Sequence, residues 1–212
     1  MNGFRREQPA GGVDLKILPD QVSPAREGDG PLRSIQEADL TLTREQLAEM
    51  WKPEMLERLA RAYWRFLQRR SLHLLRVVYG PDFRTVALVS RQIALLRFHA
   101  PEFDTGPERG QVTWRIDRGL LVAPGGRGKG FLRFDVRRLS RTDDGHERVR
   151  IRIEVANFYP MLRGTGRIAR FGAIFYGQTQ SRIHVWISHG FLKSLAKLDL
   201  PELRPERRGA YE

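Results

Sequence analysis

The chain contains no cysteine. Disulfides, thiolate nucleophiles and zinc sites built on sulfur are therefore excluded. The absence fits a reducing compartment, and a cytoplasmic location is expected. Lysine is scarce as well: of 37 basic residues only five are lysine, namely Lys16, Lys52, Lys129, Lys193 and Lys197. The formal charge of +12 is thus almost wholly guanidinium. Such a charge attracts nucleic acid or anionic lipid. An arginine excess is equally the codon signature of a GC-rich genome, so the spread of charge along the chain counts for more than its sum.

No stretch of about 18 apolar residues occurs, so no transmembrane helix is expected. The most apolar region is interrupted by Arg167, Arg170, Arg182 and His184. No apolar run follows Arg5 and Arg6, and no signal peptide is expected. The HExxH and GxSxG patterns are both missing. The histidines are His73, His99, His146, His184 and His189. Ligands on one helix face need a spacing of three or four residues. His184 and His189 are five apart, about 140° out of alignment. No metal and no cofactor are expected.

What is present is a change of rhythm. Residues 84–158 alternate in the manner of strands, whereas 165–198 carry one apolar stripe: Ile168, Phe171, Phe175, Ile183, Trp186, Phe191, Leu195 and Leu198. Before them, residues 1–40 are rich in glycine, proline and charge and read as a flexible arm, with one short strand offered by Val13, Leu15 and Ile17. Thr43 and Gln46 have capping-box spacing, which predicts a helix over 44–51. Pro53 suits the first turn of a second, over 53–78, with Leu56, Leu59, Tyr63, Phe66, Leu67, Leu74 and Val77 at helical spacing. Gly80-Pro81 ends it.

Within the β block, 84–98 is apolar on both faces. In 111–117, Val112, Trp114 and Ile116 alternate with polar residues, and a further strand is expected at 119–123. Leu132, Phe134 and Val136 alternate with Arg133, Asp135 and Arg137. After the turn Asp143-Asp144-Gly145, Val149, Ile151, Ile153 and Val155 alternate with Arg148, Arg150, Arg152 and Glu154. This is an antiparallel sheet with one buried face. Residues 182–188 read in two ways. Ile183, Val185 and Ile187 alternate like a strand, and Gly172, Gly177 and Gly190 each cost about 1 kcal/mol inside a helix. Burial of the apolar stripe is worth on the order of 10 kcal/mol and favours the helix. Residues 201–212 form a charged tail.

Four constellations carry chemistry. The glycines of 125–130 look like a phosphate cradle, but the segment that follows alternates like a strand, and a cradle needs a helix N-terminus there. A hairpin loop is expected. Arg115, Arg133, Arg137, Arg148, Arg150 and Arg152 make the polar sheet face basic, with Asp117, Asp135 and Glu154 as cross-strand partners. Its aromatics, Trp114 and Phe134, lie on the opposite face, so base stacking is not served. Helix 53–78 carries Arg58, Arg61, Arg65, Arg69, Arg70 and Arg76, a composition suited to anionic membrane or to an ordinary surface helix. Gln178, Thr179, Gln180 and Ser181 interrupt the terminal apolar segment, marking either a ligand contact or a kink.

The order of these elements resembles the START-like superfamily, also called SRPBCC or helix-grip proteins. A first strand at 13–18, helices over 44–78, strands across 84–158 and a terminal helix after Asn157-Phe158-Tyr159-Pro160 carry the likeness. The resemblance implies an α+β fold in which a curved antiparallel sheet packs on a long C-terminal helix, in one domain over 41–200. It implies a hydrophobic small molecule or lipid held between them. Trp114, Phe134, Ile153, Phe171, Phe175 and Trp186 are the expected lining. Tyr159, Gln178 and His184 are the expected polar contacts. The superfamily carries no strict motif, so no catalytic residue transfers. Were the protein a cyclase or hydrolase, Tyr159, His184, Glu102 or Asp104 would be its acid or base. The alternative is nucleic-acid or anionic-membrane binding through the arginine face or helix 53–78.

Overall fold

The alternating segments assemble into one large, open, antiparallel sheet. The computed structural model describes residues 13–23, 32–51, 54–88, 93–158 and 179–196. Among these, the strands are β1 (Asp14–Ile17), β2 (Gln21–Ser23), β3 (Leu32–Leu42), β4 (Leu75–Tyr79), β5 (Phe83–Leu88), β6 (Ala94–His99), β7 (Glu102–Thr105), β8 (Arg109–Arg118), β9 (Gly130–Arg138) and β10 (Glu147–Phe158). The helices are α1 (Arg44–Met50), α2 (Glu54–Arg70) and α3 (Thr179–Ala196). The sheet runs β1-β3-β10-β9-β8-β6-β5-β4, with β2 beside β3 and β7 beside β8. The chain crosses from β3 to the far edge through α1 and α2, then returns by successive antiparallel neighbours to β10. The fold is α+β.

Strand alternation decides which face is covered. Val112, Trp114 and Ile116 of β8, Leu132, Phe134 and Val136 of β9, and Val149, Ile151 and Ile153 of β10 are all buried. Both helices bring large apolar residues to that face. From α2 these are Leu56, Leu59, Tyr63, Trp64, Phe66 and Leu67; from α3 they are Phe191, Leu192 and Leu195. α2 lies against β4 and β8, and α3 against β3 and β1. The apolar face of α2 lies in this core. The helices meet at Gly190, where an added Cβ would stand 3.0 Å from the Phe66 ring. That close approach explains a glycine inside a helix despite its propensity cost.

Several expectations need correction. The segment 1–40 is not simply an arm: β1, β2 and most of β3 fall within it, and β3 is an interior strand between β1 and β10. The helix expected over 53–78 stops at Arg70. Leu72 (φ 50°) and His73 (φ 61°) are left-handed, and His73 N donates to Gln68 O at 2.8 Å, closing the helix. Val77 and Val78 then join β4, where β-branched side chains fit a pleated surface. The long apolar stretch after residue 84 divides into the antiparallel pair β5 and β6. Residues 119–123 do not make a full strand; Leu120 N and Leu121 N reach Ala94 O and Leu95 O, and a 3-10 turn follows at Pro124–Gly126.

Other expectations match. The Thr43–Gln46 capping box forms, Thr43 Oγ1 accepting from Gln46 N and Thr43 N donating to Gln46 Oε1. The glycine segment leads into β9, so no helix N-terminus stands behind it. Residues 182–188 are helical, within α3.

Candidate functional site

The interior between sheet and helices is organised in transverse rows. Gln36 of β3 pairs with Ile153 of β10, Ile153 with Phe134 of β9, and Phe134 with Val112 of β8. All four are fully buried. The next row runs Ser34, Val155, Leu132, Trp114. Three expected lining residues, Trp114, Phe134 and Ile153, therefore share two adjacent rows of the inner face. Each row begins at β3 with a polar residue.

The α2 end of these rows is aromatic. Tyr63 meets Phe134 (ring centroids 4.9 Å) and Phe191 (5.3 Å), and Trp114 meets Trp64 and Phe134 (both 5.5 Å). Most of these contacts are edge-to-face, the arrangement that the ring quadrupole favours. Burial pushes the Tyr63 phenol well above its usual pKa, so it stays neutral.

The β3 end is different. Gln36 Nε2 donates to Ser34 Oγ at 2.8 Å, but Gln36 Oε1 is buried without a partner among the described residues. Ser188 of α3 is also fully buried, and neither its Oγ nor Trp64 Nε1 has a partner among the described residues. His189 Nε2 of α3 lies 2.8 Å from Asp20 Oδ1, and Asp20 precedes Gln21, which pairs with Ile35 of β3. Buried polar atoms in native interiors are nearly always hydrogen-bonded, so Gln36 Oε1 and Ser188 Oγ set this end of the interior apart from its aromatic end.

The remaining expected site residues fall elsewhere. Trp186 does not line the interior: it is 53% exposed, and the Arg70 guanidinium sits 4.8 Å from its ring centre. It lies on α3 two positions before Ser188, about 200° round the helix from that buried residue. Tyr159, Phe171, Phe175 and Gln178 lie outside the described residues, as does the side chain of His184. Glu102 and Asp104 are exposed on β7, and Glu102 is bound to Arg115 Nε at 2.7 Å, so neither reaches the interior. Gln36 and Ser34 escaped the sequence reading because they fall in the supposed arm. The signal was present as alternation, Ser34, Gln36, Ala38, Leu40 and Leu42 all pointing inward, but the two polar members disguised it.

The opposite, solvent face carries the arginines, extensively paired. Arg150 makes a two-pronged contact with Asp39, at 2.7 and 2.9 Å. Asp117 pairs with Arg97 and Arg118, and Arg148 Nη2 donates to Ser140 Oγ.

No family model and no curated protein matches the chain. Among solved structures, a conserved protein from Geobacillus kaustophilus is similar at 14% identity, covering 78% of this chain and 96% of its own, with a TM-score of 0.33. An uncharacterised protein from Rhizobium leguminosarum is similar at 14% identity, covering 76% and 97%, with a TM-score of 0.31. Human STARD10 is similar at 7% identity, covering 91% and 77%, with a TM-score of 0.30. Values this low leave the functional reading to the residues themselves.

Proposed function

We propose that the protein binds a small hydrophobic molecule bearing a hydrogen-bond donor, held between the inner face of the sheet and α3. The observation that carries this reading is Gln36 Oε1, fully buried and without a partner among the described residues, at the head of the Ile153–Phe134 row. Leaving such an acceptor bare costs about 1–3 kcal/mol, a cost an apolar residue of similar size would avoid. A ligand hydroxyl or protonated carboxyl removes that cost on binding, and Ser188 Oγ offers a second contact on the helix side. Trp114, Phe134 and Ile153 supply the apolar wall. The order of strand, helices, antiparallel strands and terminal helix supports the same placement, as the START-like resemblance implies. Tyr159, Phe171, Phe175, Gln178 and His184 belong to this proposal as the segment and helix turn that complete the lining.

The experiment is a titration of intrinsic tryptophan fluorescence and melting temperature with fatty acids and aromatic polyketides, on the native chain and on Gln36→Leu. A ligand at about 100 times its Kd adds ~2.7 kcal/mol to stability. Native protein should show quenching and a raised Tm. Gln36→Leu also removes the donor to Ser34 Oγ, so its own melting temperature without ligand serves as the baseline, and it should lose most of both responses. A flat response across the panel would sink the proposal, and so would an unchanged response in Gln36→Leu.

A further inference from the structure

The solvent face of the sheet holds a second, chemically opposite site. A basin of about 500 Å3 opens over β3, β10, β9 and β8, away from the aromatic interior. Its lining includes Arg33, Arg109, Arg133, Arg137 and Arg152 with only two carboxylates, Asp135 and Glu154. Glu37, just outside that lining, pairs with Arg152 at 3.8 Å, so five guanidiniums stand against three carboxylates and leave an excess of two positive charges.

The two carboxylates act as anchors for the arginines. Asp135 and Glu154 are buried, each gripped from two sides. Asp135 accepts from Arg109 Nε at 2.7 Å and Arg137 Nε at 2.6 Å. Glu154 accepts from Arg33 Nε at 2.8 Å and pairs with Arg152 at 3.4 Å. Buried carboxylates with two partners fix the directions of four guanidinium forks before any ligand arrives, which removes part of the ordering cost of binding.

Arg133 stands between these anchors, across from Glu154 on one side and Thr113 on the other. It has no carboxylate partner among the described residues. Instead it donates to Thr113 Oγ1 at 3.2 Å and lies 4.4 Å from the Phe131 ring centre. Arg152 is held by Glu154 and Glu37, and its Nε is buried with no partner among the described residues.

We infer that this basin binds a compact phosphate-bearing anion of two or more charges, with Arg133 at its centre. Planar guanidinium forks match phosphate oxygens two at a time, and a ligand of about two negative charges balances the excess. The volume falls in the range of small-molecule sites. An extended single strand of nucleic acid fits less well, because Phe131, the aromatic that lines the basin, is covered by Arg133. The phosphate groups come either from a free polyphosphate or from a phospholipid head, and the experiment separates the two.

Inorganic pyrophosphate is titrated calorimetrically into the native chain, Arg133→Gln, Arg33→Gln and Arg115→Gln, and cosedimentation is measured with vesicles of phosphatidylcholine and phosphatidic acid. Arg115 pairs with Glu102 outside the basin and serves as the control. Loss of one charged hydrogen-bonding group weakens binding about tenfold or more. Arg133→Gln and Arg33→Gln should do so, Arg115→Gln should not, and melting temperatures report that each variant is folded. Pyrophosphate binding identifies a free anion as the source. Vesicle binding alone, lost in Arg133→Gln, identifies a lipid head. Absence of both, or binding indifferent to Arg133 and Arg33, overturns the inference. So does tighter binding of single-stranded RNA that depends on Arg115 as much as on Arg133.

Discussion

His189 of α3 and Asp20, in the bend between β1 and β2, lie 2.8 Å apart, Nε2 to Oδ1. This contact joins residues near opposite ends of the chain and locks the terminal helix to the edge of the sheet. Both side chains are partly covered, each 29% exposed, so the bond is shielded from full solvent competition. Asp20→Ala should cost about 1 kcal/mol of global stability, the usual net value of a protein hydrogen bond. The sharper effect is local. Amide hydrogen exchange should accelerate across α3 and leave β8 and β9 unchanged. Unchanged exchange in α3 would mean that the helix is held by Phe191, Leu192 and Leu195 alone.

Gly119 is the position where the fold leaves no room for a side chain. A Cβ there would stand 2.2 Å from the carbonyl oxygen of Leu95, a backbone atom that cannot turn aside. The connection between β8 and β9 is therefore docked on β6 through glycine. Gly119→Ala should destabilise by ~2–3 kcal/mol, in the range of stored backbone strain. Gly145 is the natural comparison: it also has a positive φ, 82°, but open space around it. Gly145→Ala should cost only ~1 kcal/mol, from conformation alone. Chemical denaturation of the two variants measures the difference.

The β8–β9–β10 core was legible because Val112, Trp114, Leu132, Phe134, Ile151 and Ile153 alternate without a break. β3 was not, because an inward-facing Ser34 and Gln36 make half of it look like a polar loop. The feature that concealed the strand is the one that distinguishes the site, since an all-apolar β3 would leave no bare acceptor in the interior. The outer basin was half legible. Arg133, Arg137 and Arg152 stood out in their strands, with Asp135 and Glu154 as partners. Arg33 and Arg109 join them only through sheet order, which places β3 beside β10 and β8 beside β9. Trp186 misled for a simple reason: a helical stripe gives a face, and a position at its edge can fall on either side of the boundary.

Leu72 offers a test of the helix end that replaced the expected continuation to residue 78. It is 84% exposed and left-handed, so its side chain contributes little packing while its backbone is strained. A left-handed conformation costs about 1–2 kcal/mol for a residue with a Cβ. Glycine gives back roughly 0.5–1 kcal/mol of that through unfolded-state entropy. Leu72→Gly should therefore stabilise the protein by ~0.5–1 kcal/mol. A destabilised variant would show that α2 continues past Arg70 in solution.

Asp144 contributes to the acid limb of stability. Its side chain accepts a hydrogen bond from Thr142 and lies 3.1 Å from His146 Nδ1, within the turn that joins β9 and β10. The Thr142 hydroxyl first, then His146, favour the carboxylate and lower its pKa from 3.8 to about 2. A carboxyl group whose pKa is depressed by folding stabilises the protein above its unfolded value. That contribution is fully present above pH 3.8 and is lost as pH falls toward about 2. Asp144→Asn should thus lower stability at neutral pH and flatten its fall through this window, bringing the two proteins together at the acid end. Urea unfolding of both proteins across the acid range measures the convergence. A constant gap between them at every pH would assign the turn's stability to Gly145 and the backbone bond from Gly145 N to Thr142 O instead.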